Sequence, residues 1–199
     1  MPRKGSVKVS EIVSQPPAIK WPIITPKDYI SSRVLEEDQI ILIDEFLSAA
    51  ECKQFSALIE SLPLQATPPA KRGEAERVNH RMSVQDPAFA AMMYEAIAPH
   101  VASLPSFQKH LAPPAKPHSL NSNIRLYRYH PGQYFGPHYD DSVGDAAAGT
   151  WSEWTLLLYI TGEEDGVVGG QTVFHKPMGK KKTEEIVPSL NRGTALLHR

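Results

Sequence analysis

His138 and Asp140 are the residues of this chain whose types and spacing point most directly to chemistry. They stand two positions apart, and in an extended segment such side chains point to the same side, so an imidazole nitrogen and a carboxylate oxygen can meet at one metal ion. One more histidine would complete the triad of two His and one carboxylate that suits non-haem Fe(II) and leaves positions open for a co-substrate and oxygen. The alternative is a surface histidine beside a solvated acidic pair, Asp140 and Asp141.

Composition limits the class of protein and of partner. A chain of 199 residues suits one domain with a substantial core, and a formal net charge of -1 favours neither nucleic acid nor an anionic membrane. We therefore expect a peptide, protein or small-molecule substrate. The single Cys52 has no partner for an internal disulfide, which predicts an intracellular protein, cytoplasmic or nuclear. The sequence has neither a membrane-spanning apolar run nor a secretory hydrophobic region, so we expect no membrane partner, and it does not indicate an oligomeric state.

The pattern along the chain predicts an α+β fold. Residues 1–28 are basic and proline-rich and predict a flexible arm, and residues 29–199 predict one domain with helical support over 29–120 and strands over 121–199. Ser48 and Glu51 form a capping box that begins one helix after a strand at 39–46, and Asp86 with Pro87 begins a second helix. Further strands are expected at 79–84, 123–129, 154–160, 172–174 and 194–198, with a solvated hairpin tip at 180–185.

Several segments then resemble, in order, the prolyl-4-hydroxylase-like Fe(II)/2-oxoglutarate-dependent dioxygenases. These segments are 125–129 (RLYRY), 131–132 (PG), 137–140 (PHYD), 154–161, 169–174 (GGQTVF) and Pro188 with 193–197 (GTALL), and the helix after 43–47 resembles the family's opening. The resemblance implies a double-stranded β-helix, a jelly-roll-like barrel with N-terminal supporting helices. It covers residues 39–199.

The resemblance also implies an activity and a set of small molecules. His138 and Asp140 match two iron ligands, and Tyr129 and Tyr159 match positions where a tyrosine reaches the co-substrate. The implied activity is hydroxylation of a C–H bond in a peptidyl substrate, prolyl substrates included, or in a small molecule. The implied cofactors are Fe(II), 2-oxoglutarate and O2, with ascorbate as a further candidate. Core tyrosines at the barrel rim are the alternative for Tyr129 and Tyr159. Substrate choice is expected in the loops at 65–76 and 142–152.

Two departures from the family pattern leave a second interpretation open. In the family, the second iron-binding His and the cation that anchors 2-oxoglutarate follow the segment that 193–197 resembles, but this chain stops at Arg199, which predicts that it is cut short before the last barrel strands. His198 is expected to line the barrel or pack inside it, and the alternative is that it serves as the third iron ligand. Arg192 and Arg125 are candidates for the missing anchor. The alternative function is a non-catalytic fragment or pseudoenzyme that keeps the barrel as a binding module. His80 and the other histidines are expected at surface or capping positions.

Overall fold

The fold is a mixed α+β structure, which confirms the predicted class. The computed structural model describes residues 19–109, 117–145, 149–179 and 182–199. Its helices are α1 (Ala49–Ser61), α2 (Pro87–Val101) and α3 (Pro105–Lys109), and a 3-10 turn spans Glu163–Asp165. The strands are β1 (Ser32–Glu36), β2 (Ile40–Ile43), β3 (Gln65–Ala66), β4 (Arg77–Val78), β5 (His80–Gln85), β6 (Asn123–Arg128), β7 (Tyr134–Phe135), β8 (Gly144–Asp145), β9 (Thr150–Trp151), β10 (Thr155–Leu158), β11 (Phe174–Pro177), β12 (Thr183–Ile186) and β13 (Ala195–His198).

The main sheet joins the two ends of the domain. Its strands run in the order β1-β2-β13-β10, and every pairing in it is antiparallel. The register sets Leu196 opposite both Leu42 and Leu157, and His198 opposite Thr155. β2 lies in the part predicted as helical support and β13 at the end of the chain, so the sheet depends on contacts between distant segments.

Alternation along the strands gives the main sheet two apolar faces. On the outer face the sheet packs against α1 and α2, whereas on the inner face it packs against the hairpin of β11 and β12. The outer core includes Ile41, Ile43, Ala195, Leu197, Phe55, Phe89, Met93 and Ile97. The inner cluster consists of Ile40, Leu42 and Leu196 with Leu35, Leu157, Tyr159, Phe174 and Ile186 against it. The sheet is therefore a layer between helices and hairpin.

Helix α1 begins at the predicted capping box and is tied to the N-terminal segment. Ser48 is its N-cap, and the Glu51 carboxylate accepts the Ser48 N–H at 2.6 Å. The same buried carboxylate accepts the Thr25 N–H at 2.6 Å and the Lys27 ammonium at 3.2 Å. Burial alone would raise the pKa of Glu51, but these hydrogen bonds lower it to about 2. The carboxylate therefore stays ionised and joins three parts of the chain.

The last part of the predicted arm is docked on the helices. The Trp21 ring stacks on Phe89 with centroids 3.9 Å apart, and its Nε1–H donates to Asp86, the N-cap of α2, at 2.7 Å. Ile24 is buried in the outer core. Residues 19–28 thus form a fixed strap across the helix starts, whereas residues 1–18 lie outside the described residues.

The smaller sheets lie beside this layered body. One has the order β3-β5-β6, and β4-β7, β8-β9 and β11-β12 each form a pair. Strands occur at or next to each predicted position, but β10 is shorter than predicted and β11 shares only Phe174 with the strand predicted at 172–174. Across the described ranges the sheets do not close into a barrel. Of the predicted hairpin tip, residues 180 and 181 lie outside the described ranges. No helix in the described part of the chain is long and apolar enough to cross a membrane.

Candidate functional site

His138, Asp140 and His198 meet at the inner face of the main sheet. His138 and Asp140 follow β7 in the loop that leads to β8, whereas His198 is the last residue of β13. His138 Nε2 lies 3.5 Å from Asp140 Oδ1, and His198 Nε2 lies 3.6 Å from Asp140 Oδ2. His198 lies in the strand in which it was predicted, but the fold also carries it to the candidate ligands.

The His138 ring is oriented by its neighbours. Its Nδ1 lies 2.9 Å from the Gly136 carbonyl oxygen, which can only accept a hydrogen bond, so Nδ1 carries a hydrogen and donates it. The ring also stacks on Phe135, with centroids 3.6 Å apart and planes 19° apart. Together these contacts aim Nε2 at Asp140. Histidines that bind metals are commonly held in this way, with the second ring nitrogen bonded to a carbonyl or carboxylate.

Asp140 and His198 are held by residues of the sheet and the hairpin. The Thr155 hydroxyl donates to Asp140 Oδ2 at 3.1 Å, and Thr155 is paired with His198 in the β10–β13 register. The His198 ring packs against Phe174 of β11 at 5.2 Å, and its side chain is 16% exposed. Burial lowers the pKa of His198, opposed by the Asp140 charge and aided by His138. The neutral ring is the form that binds metal.

The side chains of His138, Asp140 and His198 are donors that suit a divalent cation, but their spacing differs from that of a bound metal site. With a hydrogen on Nδ1, His138 Nε2 carries a lone pair that can bind a metal ion. Neighbouring ligands of one ion lie about 3 Å apart, since each bond is about 2.1 Å. The observed 3.5 and 3.6 Å separations are somewhat wider, and the two histidines face different oxygens of Asp140. Accordingly, no group of three His, Cys, Asp or Glu is arranged to hold a metal among the described residues.

The two tyrosines carried over from the family pattern lie in different surroundings. Tyr159 is in the inner cluster near Phe174, and its hydroxyl donates to the Thr172 hydroxyl at 2.9 Å. Burial raises the pKa of Tyr159 despite that hydrogen bond, so the phenol remains a donor at neutral pH. Tyr129 follows β6 and is 46% exposed. Only Tyr159 therefore shares the cluster that also packs against His198.

The arginines considered as anchors for a carboxylate are placed elsewhere. Arg192 forms an ion pair with Asp165 and donates its backbone N–H to Glu164. Arg125 is exposed on β6, opposite Ser83. Of the other described histidines, His175 is an exposed residue of β11 beside Glu185, and His80 packs edge-on against His130 at 5.1 Å. None of these is brought to Asp140 by a recorded contact within the described chain.

Three contributors to the site were missed by sequence reasoning. Thr155 bonds Asp140, Phe135 supports the His138 ring, and Gly136 provides the carbonyl that orients it. A side chain at Gly136 would lie 3.3 Å from the Glu76 carbonyl oxygen, so the close approach of the two backbones favours glycine. The position of Thr155 on the strand face of Tyr159 was the one available signal.

No protein-family model, curated protein or solved structure matches this chain. The family resemblance therefore depends on the ordered motifs, and the candidate site depends on the geometry of its side chains.

Proposed function

We propose that this protein is an Fe(II)- and 2-oxoglutarate-dependent dioxygenase that hydroxylates a C–H bond of a peptidyl or small-molecule substrate. The observation that carries the proposal is that His138 and His198 both lie within 3.6 Å of Asp140, which places two imidazoles and one carboxylate beside each other at the inner face. This donor set leaves half of an octahedral coordination sphere open, as binding of a chelating keto acid and O2 requires.

Each residue of the site has a distinct task in this proposal. The two imidazoles contribute lone pairs, and Asp140 neutralises one of the two positive charges of the metal. Thr155 and Gly136 orient Asp140 and His138 through hydrogen bonds. Bound Fe(II) supplies, with 2-oxoglutarate and O2, the oxidising chemistry that C–H hydroxylation needs.

Tyr159 is the residue best placed to bind the co-substrate. Its phenol lies in the inner cluster that contacts Phe174, on which His198 also packs, and Thr172 orients its hydroxyl. A hydrogen bond from this phenol to a keto-acid oxygen would fix the co-substrate near the metal. Tyr129 is the second proposed contact, and ascorbate is a proposed reductant. Prolyl peptides are among the proposed substrates.

The proposed fold is a double-stranded β-helix. Supporting it, the main sheet and the β11–β12 hairpin face each other across the inner cluster, and Lys176 of β11 bonds Glu36 of β1 at 2.6 Å. Two facing antiparallel layers with a site between them are typical of this architecture. We further propose an intracellular role without a nucleic-acid partner, on the basis of the buried free Cys52 and the near-neutral charge.

Anaerobic addition of Fe(II) and 2-oxoglutarate tests the proposal. We expect a visible charge-transfer band in the native chain that is lost in His138→Ala, Asp140→Ala and His198→Ala. His175→Ala is the matched control, because His175 is exposed and its ring lies beside Glu185 rather than Asp140, and it should keep the band. A band that survives in His198→Ala would show that the third ligand is another residue.

The second candidate function is a non-catalytic binding module that keeps the barrel without the metal. It is favoured by the wider spacing of the ligands and by the absence of a ready-made metal group in the part of the chain that the structure describes. A native chain that gives no band, and whose melting temperature Fe(II) or Co(II) does not raise, would support this function instead.

A further inference from the structure

An open cleft of about 540 Å³ is lined by residues of the loop between β3 and β4 and by β4 itself. Lys71, Arg72, Glu74, Glu76 and Arg77 are among its lining residues. The volume is within the range of small-ligand sites, about 300–1,000 Å³. Its three cations exceed its two carboxylates, so the cleft carries a positive charge in a protein whose net charge is -1.

The carboxylates of the cleft are already engaged. Glu74 accepts the Lys71 backbone N–H at 3.0 Å, and the Glu76 carboxylate beside Tyr134 raises the pKa of that phenol. Lys71, Arg72 and Arg77 form no ion pair with any other described residue. The cationic groups are therefore available to a ligand.

Arg77 has the geometry of an anion-binding residue. It is paired with Phe135 in the β4–β7 register, and its Cζ atom lies 3.5 Å from the centroid of the Phe135 ring and 5.7 Å from that of Tyr127. A guanidinium that stacks through its flat face keeps its N–H edge free, and that edge binds carboxylate or phosphate through two hydrogen bonds. The aromatic rings also hold the side chain in place before a ligand binds.

The same stack connects the cleft to the metal site. The Arg77 guanidinium packs on the Phe135 ring, and the His138 ring also stacks on Phe135, with ring centroids 3.6 Å apart. Guanidinium, phenyl and imidazole therefore form a continuous series of contacts. The Gly136 N–H also donates to the Glu76 carbonyl oxygen at 2.7 Å, which joins the cleft loop to the backbone that orients His138. These contacts are the physical route by which a shift of Arg77 would reach the His138 ring.

We propose that this cleft binds an anionic group of the substrate, a carboxylate or a phosphate, through Arg77, and that Phe135 couples its occupancy to the orientation of His138. The coupling rests on the proposed metal site, whereas anion binding in the cleft does not. Arg77 is thus a substrate-binding residue, and Phe135 is a positioning residue for a metal ligand.

The anion site is tested on the metal-free full chain by titration with inorganic phosphate and with a hexaglutamate peptide. We expect Arg77→Gln to weaken binding of the probes at least about tenfold, because it removes a charge and a bidentate contact. Arg81→Gln is the matched control, since Arg81 is an exposed arginine of β5 outside the cleft lining, and it should change affinity less than about twofold. Arg77→Lys, which keeps the charge, should recover part of the affinity.

Both probes report on the source of the anion. Tighter binding of the peptide identifies an acidic peptide substrate, and equal affinities identify a free anion or small acid, both of which fit the proposed chemistry. Unchanged affinity in folded Arg77→Gln, or no saturable binding of either probe to the native chain, would overturn the anion site.

The coupling is read from the nitrogen resonances of the His138 ring in the same titration. We expect them to shift with anion occupancy in the native chain and to stay unmoved in Phe135→Leu when that variant is saturated with the probe. Ring resonances that do not respond in the native chain at saturation would refute the coupling. If the chain binds the anion but gives no Fe(II)–2-oxoglutarate band, the anion site is supported and the proposed oxygenase function is refuted.

Discussion

Replacement of Glu51 by Gln tests how the strap, helix α1 and the loop before it are held together. Glu51 is a buried residue, 5% exposed, and its carboxylate accepts hydrogen bonds from the Thr25 and Ser48 N–H groups and from Lys27. The change removes the negative charge while keeping the shape of the side chain. It leaves the donors with a weaker, neutral acceptor, so the folded state loses stabilisation that the unfolded chain does not have.

The magnitude follows from the lowered pKa. A fall from 4.5 to about 2 is worth about 3 kcal/mol of folding free energy, at about 1.4 kcal/mol for each pH unit. Because the pKa of Glu51 is lower in the folded state, this stabilisation is complete above pH 4.5 and is lost as the pH falls from there through about 2. We therefore expect Glu51→Gln to lower the free energy of unfolding by about 3 kcal/mol at pH 7 and by about half of that at pH 3.

Urea denaturation followed by far-UV circular dichroism measures both values. Glu60→Gln is the matched control, because Glu60 is an exposed residue of the same helix, and it should change the free energy of unfolding by less than about 0.5 kcal/mol. A cost for Glu51→Gln that is equally small, or that is the same at pH 7 and pH 3, would refute the view that the ionised carboxylate stabilises this junction.

Three further changes test other parts of the fold. Gly193→Ala should lower the free energy of unfolding, measured by urea titration, by about 3 kcal/mol or more. A Cβ there would lie 2.1 Å from the Leu47 carbonyl oxygen, and the residue has a φ of 83°. A variant as stable as the native chain would contradict this packing. Trp21→Ala should cost about 2 kcal/mol through loss of the stack on Phe89, and an unchanged melting temperature would mean that the strap is not docked in solution. Cys52 should resist thiol reagents at pH 8 until urea is added, because burial raises its pKa to about 11; rapid labelling of the native protein would contradict its burial.

The sequence predicted most successfully those elements whose signals are local. The capping box at Ser48 and the Asp86-Pro87 start both mark real helices, since a cap is satisfied by backbone groups within a few residues. Alternation of apolar residues indicated β6, and the short apolar segment at 194–198 indicated β13. The two-residue strands β3, β4, β7, β8 and β9 gave no such pattern, because they are too short for a period to show.

For the candidate site, the sequence supplied His138 and Asp140, because a spacing of two residues brings their side chains together without help from the rest of the chain. It did not determine the position of His198, which depends on the pairing of β13 with β2 and β10. The pairing with β2 joins segments more than a hundred residues apart, and its register follows from how both faces of the sheet are buried rather than from any local motif.

The sequence by itself thus determined the α+β class, the two helix starts and the adjacent pair of candidate ligands, all of which follow from interactions between near neighbours. Only the tertiary structure decided which histidine joins that pair, that Arg192 is held by Asp165, and that Arg77 reaches His138 through Phe135. Contacts of this kind depend on the relative placement of whole strands and loops, which is set by burial of the shared core.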